Sequence, residues 1–325
     1  MNLAEFATSN RALSVLIVAY RRWENIAQIL ESCQQAGIGD IFLTLDAPNE
    51  NDQEAWDDQA AIKKVVSDFE VRTGRSVKMR VANNNQGCAV NVILGCEWAF
   101  QSAEYLTVLE DDCLPSLTFF DFCRNELPFV RNDKSCWLLC GSQFAPVSIT
   151  KNRASLSRYA LTWGWATHKS KWLEMRKSFF SPSKFPEVRD FFSALKEDSF
   201  WNAGARRAIR GYTDVWDTVL LQRMQYEKKY AILPPQNLVE NIGNDHVSTH
   251  TEFNSPWVGK KVMNAGLKQN GSPVENRLLD KWLSHAFYKI RFRHVFSTKI
   301  TLVLDLIFYK YRRRFKSQLK ERLSS

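Results

Sequence analysis

Residues 105–112 read Tyr-Leu-Thr-Val-Leu-Glu-Asp-Asp, an apolar run of strand character that ends abruptly in three carboxylates, Glu110, Asp111 and Asp112. Burying three acids is very costly unless something positive meets them. Delivered to the C-terminal end of a strand, in a chain that alternates strands and helices, they point to a ligand site at the carboxyl edge of a parallel sheet. The matching counterpart is a hard divalent cation, Mg²⁺ or Mn²⁺, carrying a diphosphate, because such ions favour carboxylate oxygen and share their shell with substrate phosphates. Taken alone, the segment is more simply a solvated acidic turn. The strand before it and the loops elsewhere in the chain favour the site.

The alternation is readable along the first half. Apolar runs predict strands at 13–19, 40–46, 76–82, 105–110 and 136–140, and helical spacing predicts helices at 23–36, 53–70, 88–102 and 116–127. Gly37 closes the first helix, and Asn83-Asn84-Asn85-Gln86-Gly87 forms a turn before the third. This order implies a mostly parallel sheet covered by helices on both faces. The second half is less regular: 163–172 is dense in aromatic residues, 191–228 is mainly helical with a break at Gly211, 230–233 suits a short strand, and 234–257 reads as a long loop.

The residues after the first strand disfavour several classes. Tyr20-Arg21-Arg22-Trp23 stands where a Walker loop or a Gly-x-Gly-x-x-Gly turn would be, and no Gly-x-Ser-x-Gly elbow is present. The seven cysteines have no CxxC pair or zinc spacing; Cys33, Cys96, Cys136 and Cys140 fall in apolar segments and read as reduced core residues of a cytosolic protein. The N-terminus lacks the basic-then-apolar pattern of a secretory signal.

Four segments together resemble the GT-A class of nucleotide-sugar glycosyltransferases. They are Val-Leu-Ile-Val-Ala-Tyr-Arg-Arg at 15–22, similar to its opening strand and base-binding loop; Asn85-Gln86-Gly87-Cys88-Ala89-Val90-Asn91, similar to its Asn-x-Gly-x-x-x-Asn loop; Leu-Glu-Asp-Asp-Cys-Leu-Pro-Ser at 109–116, similar to its DXD metal motif; and Trp163-Gly164-Trp165-Ala166-Thr167 with Trp216-Asp217 and Asn237-Leu238-Val239-x-Asn241-Ile242-Gly243, similar to an inverting subgroup that builds bacterial surface polysaccharide. The metal motif departs from strict Asp-x-Asp, and 144–160 matches nothing in the class.

The resemblance implies a Rossmann-like α/β fold with a mostly parallel central sheet, and a nucleoside diphosphate sugar, foremost a UDP-sugar, as donor. It implies Asp112 as metal ligand, Glu110 near the ribose or sugar, Asp111 on the sugar-diphosphate side, Asp46 at the base or ribose, and Tyr20 and Arg21 at the nucleotide, with Arg21 alternatively a surface residue. Gly87 and Asn91 belong to the loop and first helical turn that would meet phosphate, a favourable place because the N–H groups there are unpaired. Displacement with inversion needs a carboxylate base on a separate element. Asp217 is the candidate and Asp214 its competitor, although Asp214 also suits a helix N-cap. Trp163 and Trp165 suit either a wall against a sugar face or a Trp-rich core corner. His246 and His250 lack a zincin pattern, so zinc is not expected; His250 is the candidate to complete the metal shell, or else a structural loop histidine.

The net charge of +9 is unevenly placed: residues 281–325 hold twelve Lys or Arg against Asp305 and Glu321, leaving the first 280 residues near neutral. Its longest apolar stretch, 300–309, is interrupted by Asp305 and is about half the ~20 residues that span a bilayer. An amphipathic basic helix on anionic lipid fits better, a packed helical subdomain being the alternative. Arg312-Arg313-Arg314 lacks any nucleic-acid recognition module, so no nucleic acid is expected. The expected organisation is a catalytic domain over 1–257, with a donor half at 13–115 and an acceptor half at 116–257, then a helical basic tail over 258–325. The expected activity is sugar transfer to a glycan or lipid-linked saccharide at the inner face of the cell membrane. A sugar nucleotidyltransferase and a degenerate module acting as a glycan-binding scaffold are the rivals.

Overall fold

The computed structural model describes residues 13–180, 200–201, 204–205, 207–208, 214–243, 257–262 and 271–290. The predicted alternation is present: β1 (Ser14–Ala19), α1 (Trp23–Gln35), β2 (Ile41–Leu45), α2 (Gln53–Thr73), β3 (Val77–Val81), α3 (Cys88–Ala99), β4 (Tyr105–Glu110), β5 (Cys113–Pro115), α4 (Leu117–Asn132) and β6 (Cys136–Cys140). The strands form because each is a short β-branched or aromatic run buried along its length; all six residues of β1 and all five of β2 and β6 are buried. β3 is instead the outer strand, and its charged Lys78 and Arg80 suit an edge.

α4 departs from expectation. It continues through Pro128 to Asn132, where a proline normally ends a helix by removing an N–H and crowding the turn before it. Burial of Leu127 and Val130 against the sheet accounts for the continuation.

A nine-stranded sheet has the order β11-β7-β9-β6-β8-β4-β1-β2-β3, with β7 (Ser155–Ser157), β8 (Trp165–His168), β9 (Tyr230–Leu233) and β11 (Val274–Glu275) completing it. β1 is parallel to both β2 and β4, and β2 to β3. The antiparallel β8 is wedged between β4 and β6. The aromatic-dense segment at 163–172 thus supplies a central strand that no alternation in the sequence announced. The strand order reverses at β1: β2 and β3 lie on one side, β4 on the other. Beyond the carboxyl ends at such a reversal lies the crevice in which open α/β sheets bind ligands.

Each sheet face has its own apolar layer. One contains Val92, Ile93 and Cys96 of α3 with Trp137, Trp165, Trp172 and Trp216. The other contains Ile26, Ile29 and Leu30 of α1 and Phe119, Phe120 and Phe122 of α4. All seven cysteines are free, and only Cys88 is not fully buried.

One further correction concerns the second half. The segment expected as a plain loop at 234–257 contains β10 (Val239–Asn241), paired antiparallel with β5 through Asn241 and Cys113. After α5 (Asp217–Glu227), residues 271–290 pack on the body. β11 extends the sheet beside β7, and α6 (Arg277–Trp282) leads into a π-helical turn at Leu283–Phe287 whose Leu283 joins the first apolar layer. Among the described residues no helix is long and apolar enough to cross a membrane. The basic stretch 291–325, His246 and His250 lie outside the described residues.

Candidate active site

A cavity of about 870 Å³ opens at the carboxyl ends of β1 and β4. Its wall includes Tyr20, Arg21, Asp46, Gly87, Asn91, Glu110, Asp111, Asp112, Trp163, Asp214 and Asp217, so residues far apart in the chain meet at one place. Trp165 is not among them. It sits in β8, 1 % exposed, with its ring 5.1 Å from that of Trp216. Of the two tryptophan readings, the core corner describes Trp165, while Trp163 faces the cavity.

The three acids at the end of β4 have different surroundings. Asp111 is consumed by the loop after β1: Arg22 Nη1 donates to its Oδ1 at 2.7 Å, and the Tyr20 N–H donates to its Oδ2 at 2.9 Å. Asn25 Nδ2 donates to its carbonyl at 2.9 Å. Asp111 therefore fixes that loop. Arg22 and Asn25 carried no sequence signal for this, since a surface arginine and a helical asparagine look the same in one dimension.

Asp112 is set by β10. Asn241 Nδ2 donates to its Oδ2 at 3.1 Å, and the Ile242 N–H donates to its carbonyl at 2.8 Å. Gly243 lies so close that an added Cβ would stand 2.6 Å from the Asp112 Cβ. The Asn-Ile-Gly sequence at 241–243 is explained by this approach.

Glu110 has the least compensation. Among the described residues its carboxylate receives Trp216 Nε1 at 3.4 Å and a long contact from Cys88 Sγ at 3.9 Å. Burial, then repulsion from Asp112 and Asp217, pushes its pKa from 4.5 up to about 8. Burial and Asp111 raise Asp112 as well. Between pH 4.5 and about 8 the folded chain holds a proton on Glu110 that the unfolded chain has released. Its contribution to stability is thus full below 4.5 and is lost as pH rises through about 8. In the absence of divalent metal, Tm is expected to fall across this interval, and Glu110→Gln to flatten the fall; thermal unfolding at several pH values checks both.

Asp46 serves the glycine loop. The N–H groups of Gln86 and Gly87 donate to its two oxygens, each at 2.8 Å, and burial raises its pKa to about 6 against these bonds. Gly87, at φ 81, has the left-handed backbone that favours glycine. Asn91 accepts from Thr44 Oγ1 at 2.7 Å and is buried. Arg21 is gripped by α2: its Nε pairs with Asp58 at 2.7 Å and its Nη2 with Glu54 at 3.1 Å.

Asp214 does not cap its own helix. α5 begins at Asp217, with Trp216 at the N-cap position and no side-chain cap. The Asp214 carboxylate instead takes the N–H groups of Cys88, at 2.5 Å, and Ala89, at 3.0 Å, at the start of α3. A carboxylate thus occupies the positive end of that helix, where two otherwise unpaired donors attract an anion. Asp217 accepts the Thr218 N–H at 2.7 Å at the first position of α5 and lies close enough to Glu110 to raise its pKa.

The donor set suits a hard cation. Glu110 and Asp112 are half-buried carboxylates that repel one another, and the nearest cation, Arg22, is paired with Asp111. Among the described residues no three ligating side chains converge on one point, so a bound ion would take the rest of its shell from ligand oxygens and water, as Mg²⁺ commonly does.

In sequence the chain matches no protein family and no curated protein. Solved structures resemble it partially. Glucosyl-3-phosphoglycerate synthase from Mycobacterium tuberculosis, seen with Mn²⁺, UDP and glucosyl-3-phosphoglycerate, aligns at 13 % identity and a TM-score of 0.33 over 55 % of this chain. The alignment spans 63 % of that enzyme, less than two thirds of its length. UDP-glucose pyrophosphorylase complexed with UDP-glucose aligns at 10 % identity and a TM-score of 0.38, over 71 % of this chain and 94 % of that one. Inositol-1-phosphate CTP transferase from T. maritima aligns at 10 % identity and a TM-score of 0.37, over 68 % of this chain and 84 % of that one.

Proposed function

We propose that this protein is a GT-A glycosyltransferase that moves a sugar from a nucleoside diphosphate, foremost UDP, to a saccharide acceptor with inversion. One observation carries the reading: Glu110, Asp112, Asp214 and Asp217 meet the N-terminus of α3 in a single cavity at the point where the strand order reverses. The nucleotide lies over the loop after β1, near Tyr20 and Asp46. Glu110 and Asp112 hold a divalent ion, Mn²⁺ or Mg²⁺, which when bound offsets the charge developing on the departing diphosphate. His250 remains the candidate further ligand. Asp217 takes the proton of the acceptor hydroxyl as its oxygen attacks the anomeric carbon. The acceptor is a glycan or lipid-linked saccharide, and the basic stretch beyond residue 290 attaches the enzyme to the inner, anionic face of the membrane.

The nucleotidyltransferase alternative needs cations free to hold a triphosphate after β1. There Arg21 is paired with α2 and Arg22 with Asp111, which favours the transferase.

Asp214 occupies the two N–H groups that a donor phosphate would take. Asp214→Ala is therefore expected to cost about 1 kcal/mol of stability as a lost cap while tightening UDP binding; calorimetric titration and thermal unfolding read the two effects. An unchanged UDP affinity would move the phosphates away from α3.

The function itself is tested by thermal unfolding against a panel of nucleotide sugars with and without Mn²⁺. One donor should raise Tm only with the metal present. A well-folded protein that responds to none of them would sink the transferase and favour a binding scaffold.

A further inference from the structure

Trp257, Phe287, Tyr288 and Lys289 contribute to the wall of the active-site cavity. Phe287 stacks on Phe144 with ring centroids 5.4 Å apart and planes inclined by 12°. Phe144 also stacks on Trp257 and meets Trp163 edge-on, at 5.4 and 5.5 Å. Tyr288 is pinned by its hydroxyl, which donates to the Ala160 carbonyl at 2.6 Å, and it lies near enough to Asp217 to feel its charge. The result is a rigid aromatic wall beside Asp217, of the kind that packs against the CH face of a sugar ring.

Lys289 is the unusual member. Its φ is 51, in the left-handed region. It follows the π-helical turn, where the Ile290 N–H returns to the Ser284 carbonyl at 2.8 Å and the Tyr288 N–H to Leu283 at 2.9 Å. Glycine is the default at such a helix end because it has no Cβ to strain. Lys151 and Lys228 share this backbone at other helix ends, so what distinguishes Lys289 is its place on the cavity wall. Of the three cationic side chains on the cavity wall, Arg21 and Arg22 are paired with carboxylates. Lys289 is exposed and has no carboxylate partner among the described residues.

We propose that Lys289 binds an anionic group of the acceptor, which is a saccharide carrying phosphate or carboxylate whose ring rests on the wall of Trp163, Trp257 and Phe287. This rests on the transferase reading, because it takes the aromatic wall beside Asp217 as the acceptor side. The lysine selects the acceptor by charge, and the aromatic wall holds the ring with one hydroxyl toward Asp217.

Intrinsic tryptophan fluorescence tests this on the full chain, since Trp163 and Trp257 report on the wall. The probes are glucose 1-phosphate, methyl glucuronide and neutral methyl glucoside, titrated with and without saturating UDP and Mn²⁺. At least one anionic probe should bind about tenfold or more tightly than methyl glucoside, and which one it is tells phosphate from carboxylate. Lys289→Gly should abolish that preference and leave the affinity for methyl glucoside unchanged. Its Tm should hold or rise, because glycine relieves the left-handed backbone, so lost binding cannot be ascribed to lost folding. Lys289→Arg should retain the preference. Equal binding of charged and neutral probes by the unaltered chain would overturn the proposal, as would a Lys289→Gly protein that loses UDP affinity but keeps its preference between probes. UDP binding is read in the same titrations: its failure would count against the donor reading, while the comparison of probes without UDP still decides the role of Lys289.

Discussion

Asp217→Asn is expected to lower the turnover of sugar transfer by about 10²–10⁴-fold, the usual contribution of a positioned base, while donor affinity stays unchanged. The substitution keeps the oxygen that accepts the Thr218 N–H at the first position of α5, so the local helix start survives and Tm should move little. It removes one of the charges that raise the Glu110 pKa. The pH at which metal-free stability falls should therefore move down in the variant. Turnover measured with saturating donor, together with donor affinity from calorimetry, separates a lost base from a lost binding group. Wild-type turnover in Asp217→Asn would transfer the role to another carboxylate, and Asp214 would be the first to examine.

Asp112→Ala should abolish the metal-dependent response to donor altogether. A ligand present at about a hundred times its dissociation constant stabilises a protein by about 2.7 kcal/mol, and this gain should be absent in the variant at the same concentrations. The metal-free variant should nevertheless fold well. It loses the hydrogen bond from Asn241 Nδ2, but it also loses the repulsion that Asp112 exerts on Glu110. Thermal unfolding of both proteins, each with and without Mn²⁺ and donor, shows the two effects separately. A full donor shift in Asp112→Ala would place the ion elsewhere in the acid cluster.

Much of this arrangement was legible in one dimension. The alternation of strand and helix through residue 140 follows from apolar periodicity, and the acids at the end of β4 stand where the run of strand residues stops. Gly87 was readable as a turn glycine, whereas a role for Asp46 came only from the resemblance, and its pairing with the Gln86 and Gly87 N–H groups is a tertiary contact. The failures have separate causes. β8 and β10 pair with strands far away in sequence. β8 lies in a Trp-rich stretch while β10 carries Glu240 and Asn241, so neither shows the plain apolar run that marked the equally short β9. α4 runs on through Pro128 because buried contacts outweigh a local penalty.

The order of residues was enough to say which chemistry was available: an acid-tipped strand, a glycine loop before a helix, and a Trp-Asp at a helix start. How those groups are spent is settled by packing alone. It gives Asp111 to Arg22, Asp214 to the start of α3, Trp165 to the core and Lys289 to the cavity. The reason is that a residue type fixes charge and hydrogen-bonding capacity, whereas a partner is chosen by proximity, and proximity between distant positions of the chain exists only once both faces of the sheet are packed.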